Sequence, residues 1–189
     1  MNNKLIFAAL CAFFTFCNSE SAKQPGNQPD TTTEAVPVQN AQTSAPPVAG
    51  NLTLIAPKLS AASGETICLD ITVAGFQQLL SMQYSLRWDK NVLEFKELKN
   101  FQLPSMDGNN FGVNNAQDGL LTALWIENSL KGITVADGAS IYQVCYKVKG
   151  KPGQFSSINF VDKPTPFEAV NTKDEILGIK GIDGKVTVK

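Results

Sequence analysis

Gly64-Glu-Thr-Ile-Cys-Leu-Asp-Ile-Thr-Val73 alternates with a period of two, Ile67, Leu69, Ile71 and Val73 falling on one side and Cys68, Asp70 and Thr72 on the other. A strand with one face buried and one face wet has this pattern. Leu80-Ser-Met-Gln-Tyr-Ser-Leu-Arg-Trp-Asp89 repeats it, with Met82, Tyr84, Leu86 and Trp88 set against Ser81, Gln83, Ser85 and Arg87. Further on, Tyr142, Val144, Tyr146 and Val148 alternate with Ile141, Gln143, Cys145, Lys147 and Lys149. The apolar set of each belongs in a core.

Working outward, similar short runs occur at Leu52 to Ala56, Leu79 to Trp88, Val92 to Leu98, Gly112 to Asn115, Leu120 to Ile126, Ser140 to Lys149, Ser156 to Val161 and Lys185 to Val188. With Thr66 to Val73 they make nine expected strands and no sustained 3.6-residue apolar repeat between them. Asp118-Gly119, Asp137-Gly138 and Asp183-Gly184 supply turn signals beside strands. The expectation is an all-β, nine-stranded antiparallel sandwich of jelly-roll topology.

That domain is expected over residues 51–189, whose 139 residues suit one core burying about two thirds of the unfolded surface. Residues 18–50 hold five of the ten prolines, no aromatic residue and neither Leu nor Ile, so they read as a disordered, semi-stiff linker. Residues 1–17 begin with a single lysine and continue as the apolar run Leu5 to Cys17, too short to span a bilayer and of the form of an export signal. Cys17, followed by Asn18 and Ser19, resembles a lipoprotein box, although Phe16 is large for the position before it. Acylation there would anchor a soluble domain to a membrane by lipid alone. The expected location is outside the cell, at the surface or beyond it.

A formal net charge of −1 with 17% charged residues excludes a basic nucleic-acid binder. The chain has no histidine, which removes Ser-His-Asp and Cys-His nucleophiles and imidazole metal ligation. Paired-carboxylate chemistry survives that cut, but each acid is accounted for by a turn or a strand end, so no catalytic residue, cofactor or metal site is expected. Two cysteines fall in the domain. By the alternation both Cys68 and Cys145 lie on the wet side of their strands, and opposed residues of neighbouring antiparallel strands come within disulfide reach. A Cys68–Cys145 bridge is expected, the alternative being two buried thiols with both strands shifted by one residue.

In series, Gly64 to Val73, Leu80 to Asp89 with Val92-Leu-Glu-Phe95, Phe111-Gly-Val-Asn-Asn115, Gly119 to Asn128 and Asp137 to Val148 resemble cohesin domains and their relatives among cellulose-binding modules. The resemblance covers most of residues 52 to 188. It implies a jelly roll that binds rather than catalyses, in which the strand at Thr66 lies beside the one ending near Lys149. It also implies an exported, dockerin-like protein partner received on a flat sheet face. By position that face comprises Gln83, Ser85, Arg87, Thr122 and Leu124, with Asn114 nearby; Leu121, Ala123 and Trp125 are the alternative outward set. No cofactor is implied, and the chain is expected to be a monomer. The relatives that bind cellulose suggest direct polysaccharide binding as a second reading, with Trp125 and Phe111 as stacking rings beside Phe76 and Phe101. A structural or adhesion spacer is the third.

Overall fold

The computed structural model describes residues 48–189. The export signal, Cys17 and all but the last three residues of the linker lie outside the described residues. Twelve strands are formed: β1 (Val48–Ile55), β2 (Lys58–Ala61), β3 (Thr66–Ala74), β4 (Leu79–Arg87), β5 (Leu93–Lys99), β6 (Phe111–Gly112), β7 (Leu120–Ile126), β8 (Ser140–Val148), β9 (Phe155–Val161), β10 (Glu168–Asn171), β11 (Ile176–Ile182) and β12 (Gly184–Val188). Strand pairing begins at Val48, opposite Leu177, ahead of the boundary expected at residue 51.

These strands make the two layers of a sandwich. One layer runs β5-β8-β3-β1-β11 and the other β6-β7-β4-β9-β12-β2, while β10 pairs with both β4 and β11 and so joins the layers along one side. The three strands beyond the expected nine are β2, β10 and β11. Lys58-Leu-Ser-Ala61 is four residues long, and Glu168 to Ile182 carries Lys173, Asp174, Glu175, Gly178 and Gly181, so neither has a clean apolar alternation to reveal it. The expected strand Gly112 to Asn115 shrinks to Phe111–Gly112, because the chain turns away at Val113.

Not every pairing is antiparallel. β1 runs parallel to β11 in one layer, and after both cross over, β2 runs parallel to β12 in the other. The crossing is held by Ala56 N–H donating to Ile182 O at 3.0 Å and Lys185 N–H donating to Pro57 O at 3.1 Å. Gly184 is required by this approach, since a Cβ there would lie 2.6 Å from Pro57 O. Asp183-Gly184 is therefore a layer crossing and not a hairpin turn. The Asp183 carboxylate fastens it by accepting from Asn159 Nδ2 at 2.7 Å and Phe160 N–H at 3.1 Å.

The alternation expected for β3, β4 and β8 is the one observed. Ile67, Leu69, Ile71, Val73, Met82, Tyr84, Leu86, Trp88, Tyr142, Val144, Tyr146 and Val148 all face the core. Each such aliphatic side chain contributes roughly 1.5 to 3 kcal/mol through burial. Between the layers, Tyr84 Oη donates to Tyr142 Oη at 2.9 Å. Burial holds the Tyr84, Tyr142 and Tyr146 hydroxyls above the ordinary tyrosine range, so all three stay neutral.

Cys68 and Cys145 sit opposite one another in the β3–β8 ladder and are joined by a disulfide, with their Cα atoms 4.0 Å apart. The bridge lies on the outward side, as the parity requires. Cys145 is nevertheless fully buried, because β3 and β5 flank its strand on both sides. Ile141, read as wet from its parity, is buried as well, and the segment after β5 is drawn against it through Gln102 N–H donating to Ile141 O.

Candidate functional site

The broad outer face of the layer containing β4, β7 and β9 is built by cross-strand rows. Ser81 stands between Ile126 and Val170, Gln83 between Leu124 and Glu168, Ser85 between Thr122 and Val161, and Arg87 between Leu120 and Asn159. Leu124, expected on this face, is joined there by Ile126, the two being 47% and 48% exposed side by side. Two half-exposed apolar side chains thus stand together on the outer side of β7.

The orientation of β7 decides this. Leu-Leu-Thr-Ala-Leu-Trp-Ile is apolar at both parities, so alternation alone leaves either side eligible. The core takes Leu121, Ala123 and Trp125, and the indole of Trp125 is held by Nε1 donating to Pro104 O at 2.8 Å and by packing on Phe76. Thr122, Leu124 and Ile126 are left facing out. Ile126 is a member of the face that the sequence reading did not select, although it shares the parity of Thr122 and Leu124. Leu130, exposed in the loop beyond β7, carried no sequence signal at all.

Around this stripe, Asn110 Nδ2 donates to Leu124 O at 3.1 Å, fixing the segment before β6 against β7. Gly112 lies opposite Thr122, and a Cβ there would meet Thr122 Oγ1 at 2.4 Å. The bare glycine lets β6 close the edge. Asn114 is exposed in the following turn. At the rim Lys90 Nζ donates to Asp118 at 2.8 Å, which holds the Asp118 carboxyl below its ordinary range.

Ser85 departs most from expectation. It points outward but is fully buried, since the chain between β9 and β10 is looped out over it. Val161 pairs with Ser85 and Glu168 with Gln83, so β9 and β10 form one interrupted strand along the edge of β4, and residues 162–167 are the interruption. The Ser85 hydroxyl bonds the Thr165 backbone in the gap. A ridge thus crosses the middle of the face, leaving Gln83, Arg87, Thr122 and Leu124 on its open parts.

Beyond β7 the loop is fastened by Glu127. Its buried carboxylate accepts from Ser129 N–H at 2.8 Å and Lys131 N–H at 2.9 Å. Hydrogen bonds from Ser129, through side chain and backbone, and from the backbone of Lys131 and Gly132 hold the Glu127 carboxyl below its ordinary range.

The rings proposed for sugar stacking are not on any surface. Trp125 is 1% exposed and Phe111 6%, the latter packed against Tyr142 and Phe101. Phe76 is likewise buried and Phe101 packs on the core. These residues are placed by core volume, and neither Trp125 nor Phe111 offers a ring face to a glycan. Among the described residues there is no group of three or more Cys, Asp or Glu side chains placed to hold a metal ion.

A two-layer jelly roll with one broad, partly apolar outer sheet defines the class of the molecule. The family model described as Cohesin domain matches residues 52–188, and the chain belongs to the cohesin family. Among solved structures, the chain is similar to one in the Coh-OlpC-Doc435 complex, a type I cohesin–dockerin complex from Clostridium thermocellum, at a TM-score of 0.63 and 17% identity over 77% of this chain and 97% of that one. CaCohA2 from Clostridium acetobutylicum gives a TM-score of 0.60 and 16% identity over 75% and 92%. A non-cellulosomal cohesin from the archaeon Archaeoglobus fulgidus gives 0.53 and 15% over 74% and 91%. At these identities the likeness speaks for the fold. No curated protein sequence matches this chain.

Proposed function

We propose that the domain is a non-catalytic docking module that receives a dockerin-like protein on the outer face of β4 and β7. The observation that carries this reading is the exposed pair Leu124 and Ile126, bordered by Gln83, Arg87 and Thr122 on the outer face of β4 and β7. Burying the remaining exposed half of each side chain contributes roughly 1 kcal/mol, and polar neighbours fix the partner's orientation. Family membership supports the reading, because the similar Clostridium thermocellum structure is a cohesin–dockerin complex. Ser85 acts in it as an anchor of the ridge and Asn114 as a rim residue.

The same proposal places the domain outside the cell, carried by the export signal of residues 1–17 and the linker of residues 18–50, as a monomer. Acylation of Cys17 would hold it at a membrane. Metabolic labelling with a palmitate analogue, compared between the native chain and Cys17→Ala, checks that step, and equal labelling of the two excludes Cys17 as the acylated residue.

For docking, the immobilised domain is incubated with the exported proteins of its own source, beside the double variant Leu124→Lys, Ile126→Lys. A dockerin-bearing protein retained by the native domain and lost from the folded variant is the expected outcome. Retention of nothing, or equal retention by both, sinks the reading.

A further inference from the structure

The aromatic ring that does stand in water is elsewhere on the same layer. Phe155, at the start of β9, is 52% exposed and is the exposed aromatic side chain among the described residues. Its strand mates are β12 and, beyond it, β2. Across these three strands the outward positions form two rows, Phe155–Thr187–Ser60 and Ser157–Lys185–Lys58. Lys185 Nζ sits over the Phe155 ring, 3.9 Å from its centroid.

That contact favours Lys185 and the ring, yet two features of this surface stay unfavourable for the protein alone. Lys58 and Lys185 lie alongside each other in the parallel ladder, where like charges repel, and neither makes an ion pair with an acid among the described residues. A half-exposed phenyl ring is also held in water beside them. A ligand that brings negative charge to the two ammonium groups and an apolar face to the ring relieves both. The remaining groups are the hydroxyls of Ser60, Ser157 and Thr187, each able to donate and accept, which is the hydrogen-bonding character of a sugar.

We propose that the outer surface of β9, β12 and β2 binds an anionic polysaccharide: a uronate residue packs its C–H face against the part of the Phe155 ring that Lys185 leaves open and places its carboxylate on Lys185 and Lys58. The hydroxyl row orients the sugar ring. A uniformly acidic peptide satisfies the lysines but brings no apolar face to the ring. The site lies on the same outer face but on other strands, with β4 between it and the β7 residues Leu124 and Ile126, and its occupancy does not depend on the docking reading.

The test is affinity electrophoresis of the full chain in native gels containing polygalacturonate, neutral hydroxyethylcellulose or poly-glutamate. Expected is retardation by polygalacturonate alone, lost in Phe155→Ala and in the double variant Lys58→Gln, Lys185→Gln, and kept in Lys173→Gln on the distant β10–β11 turn. Circular dichroism confirms that each variant is folded. The proposal is overturned by an absence of retardation, by retardation that survives Phe155→Ala in the folded variant, or by equal retardation in poly-glutamate. It is equally overturned if Lys58→Gln with Lys185→Gln leaves retardation unchanged, since the lysines would then only guard the edge strand β2 against pairing.

Discussion

The Ser85 hydroxyl accepts the Thr165 N–H at 3.0 Å and lies 3.2 Å from the Thr165 carbonyl, to which it donates. One side chain thereby satisfies both backbone groups of Thr165 in the loop between β9 and β10. This pair ties the loop of residues 162–167 down onto the outer face of β4.

Removing the hydroxyl leaves the Thr165 backbone groups without their partner under a part-buried loop. Ser85→Ala is expected to cost about 1 to 2 kcal/mol. Urea unfolding measures the loss, and amide exchange at Thr165 should rise with it. Unchanged exchange at Thr165 would show that the ridge is held by other contacts.

Tyr84 and Tyr142 bond across the layers with no solvent contact. Tyr84→Phe strands the Tyr142 hydroxyl in the core and is expected to destabilise by about 1 to 3 kcal/mol. Removing both hydroxyls should cost less than the sum of the single changes, since nothing polar is then left behind. A double-mutant cycle in urea gives the coupling, and strict additivity would mean the bond contributes nothing.

The Cys68–Cys145 bridge closes a loop of 77 residues in sequence. Its removal in Cys68→Ala with Cys145→Ala is expected to lower stability by about 2 to 4 kcal/mol, mainly by freeing the unfolded chain. Because Cys145 is fully buried, alanine is preferred to serine there. A midpoint equal to that of the oxidised protein would contradict the expectation.

Glu127 has a folded pKa below its ordinary value of 4.5. A depressed carboxyl contributes stability that is complete above the unfolded value and disappears as pH falls through the folded one. The stability difference between the native chain and Glu127→Gln is therefore expected to be constant near neutrality and to shrink below about pH 4.5. Unfolding curves at a series of pH values read this directly, and a difference that grows on acidification would reverse the assignment.

Much of the sandwich was legible in residues whose two faces differ chemically. β3 opposes Ile67, Leu69 and Ile71 to Cys68, Asp70 and Thr72, and that contrast alone set its orientation and put Cys68 on the outward side, while the pairing of β3 with β8 set it opposite Cys145. The candidate face was legible only in part. Gln83, Arg87, Thr122 and Leu124 lie outward as expected, but the burial of Ser85 depends on a loop some 80 residues away in sequence. Local pattern contains no record of such a contact. The strands β10 and β11 were hidden for a related reason, as Glu168 to Ile182 is paired by neighbours and not by its own apolar alternation.

Sequence by itself determined the β class, the period-two faces of β3, β4 and β8, and the common outward parity of Cys68 and Cys145, because each follows from alternation between neighbouring residues. Tertiary structure alone decided which side of β7 meets water, how β10 joins the layers, and where an aromatic ring is exposed. Leu120 to Ile126 is apolar on both sides, so the choice fell to volume: the core has room for Trp125 against Phe76 and Pro104, and that leaves Leu124 and Ile126 outside.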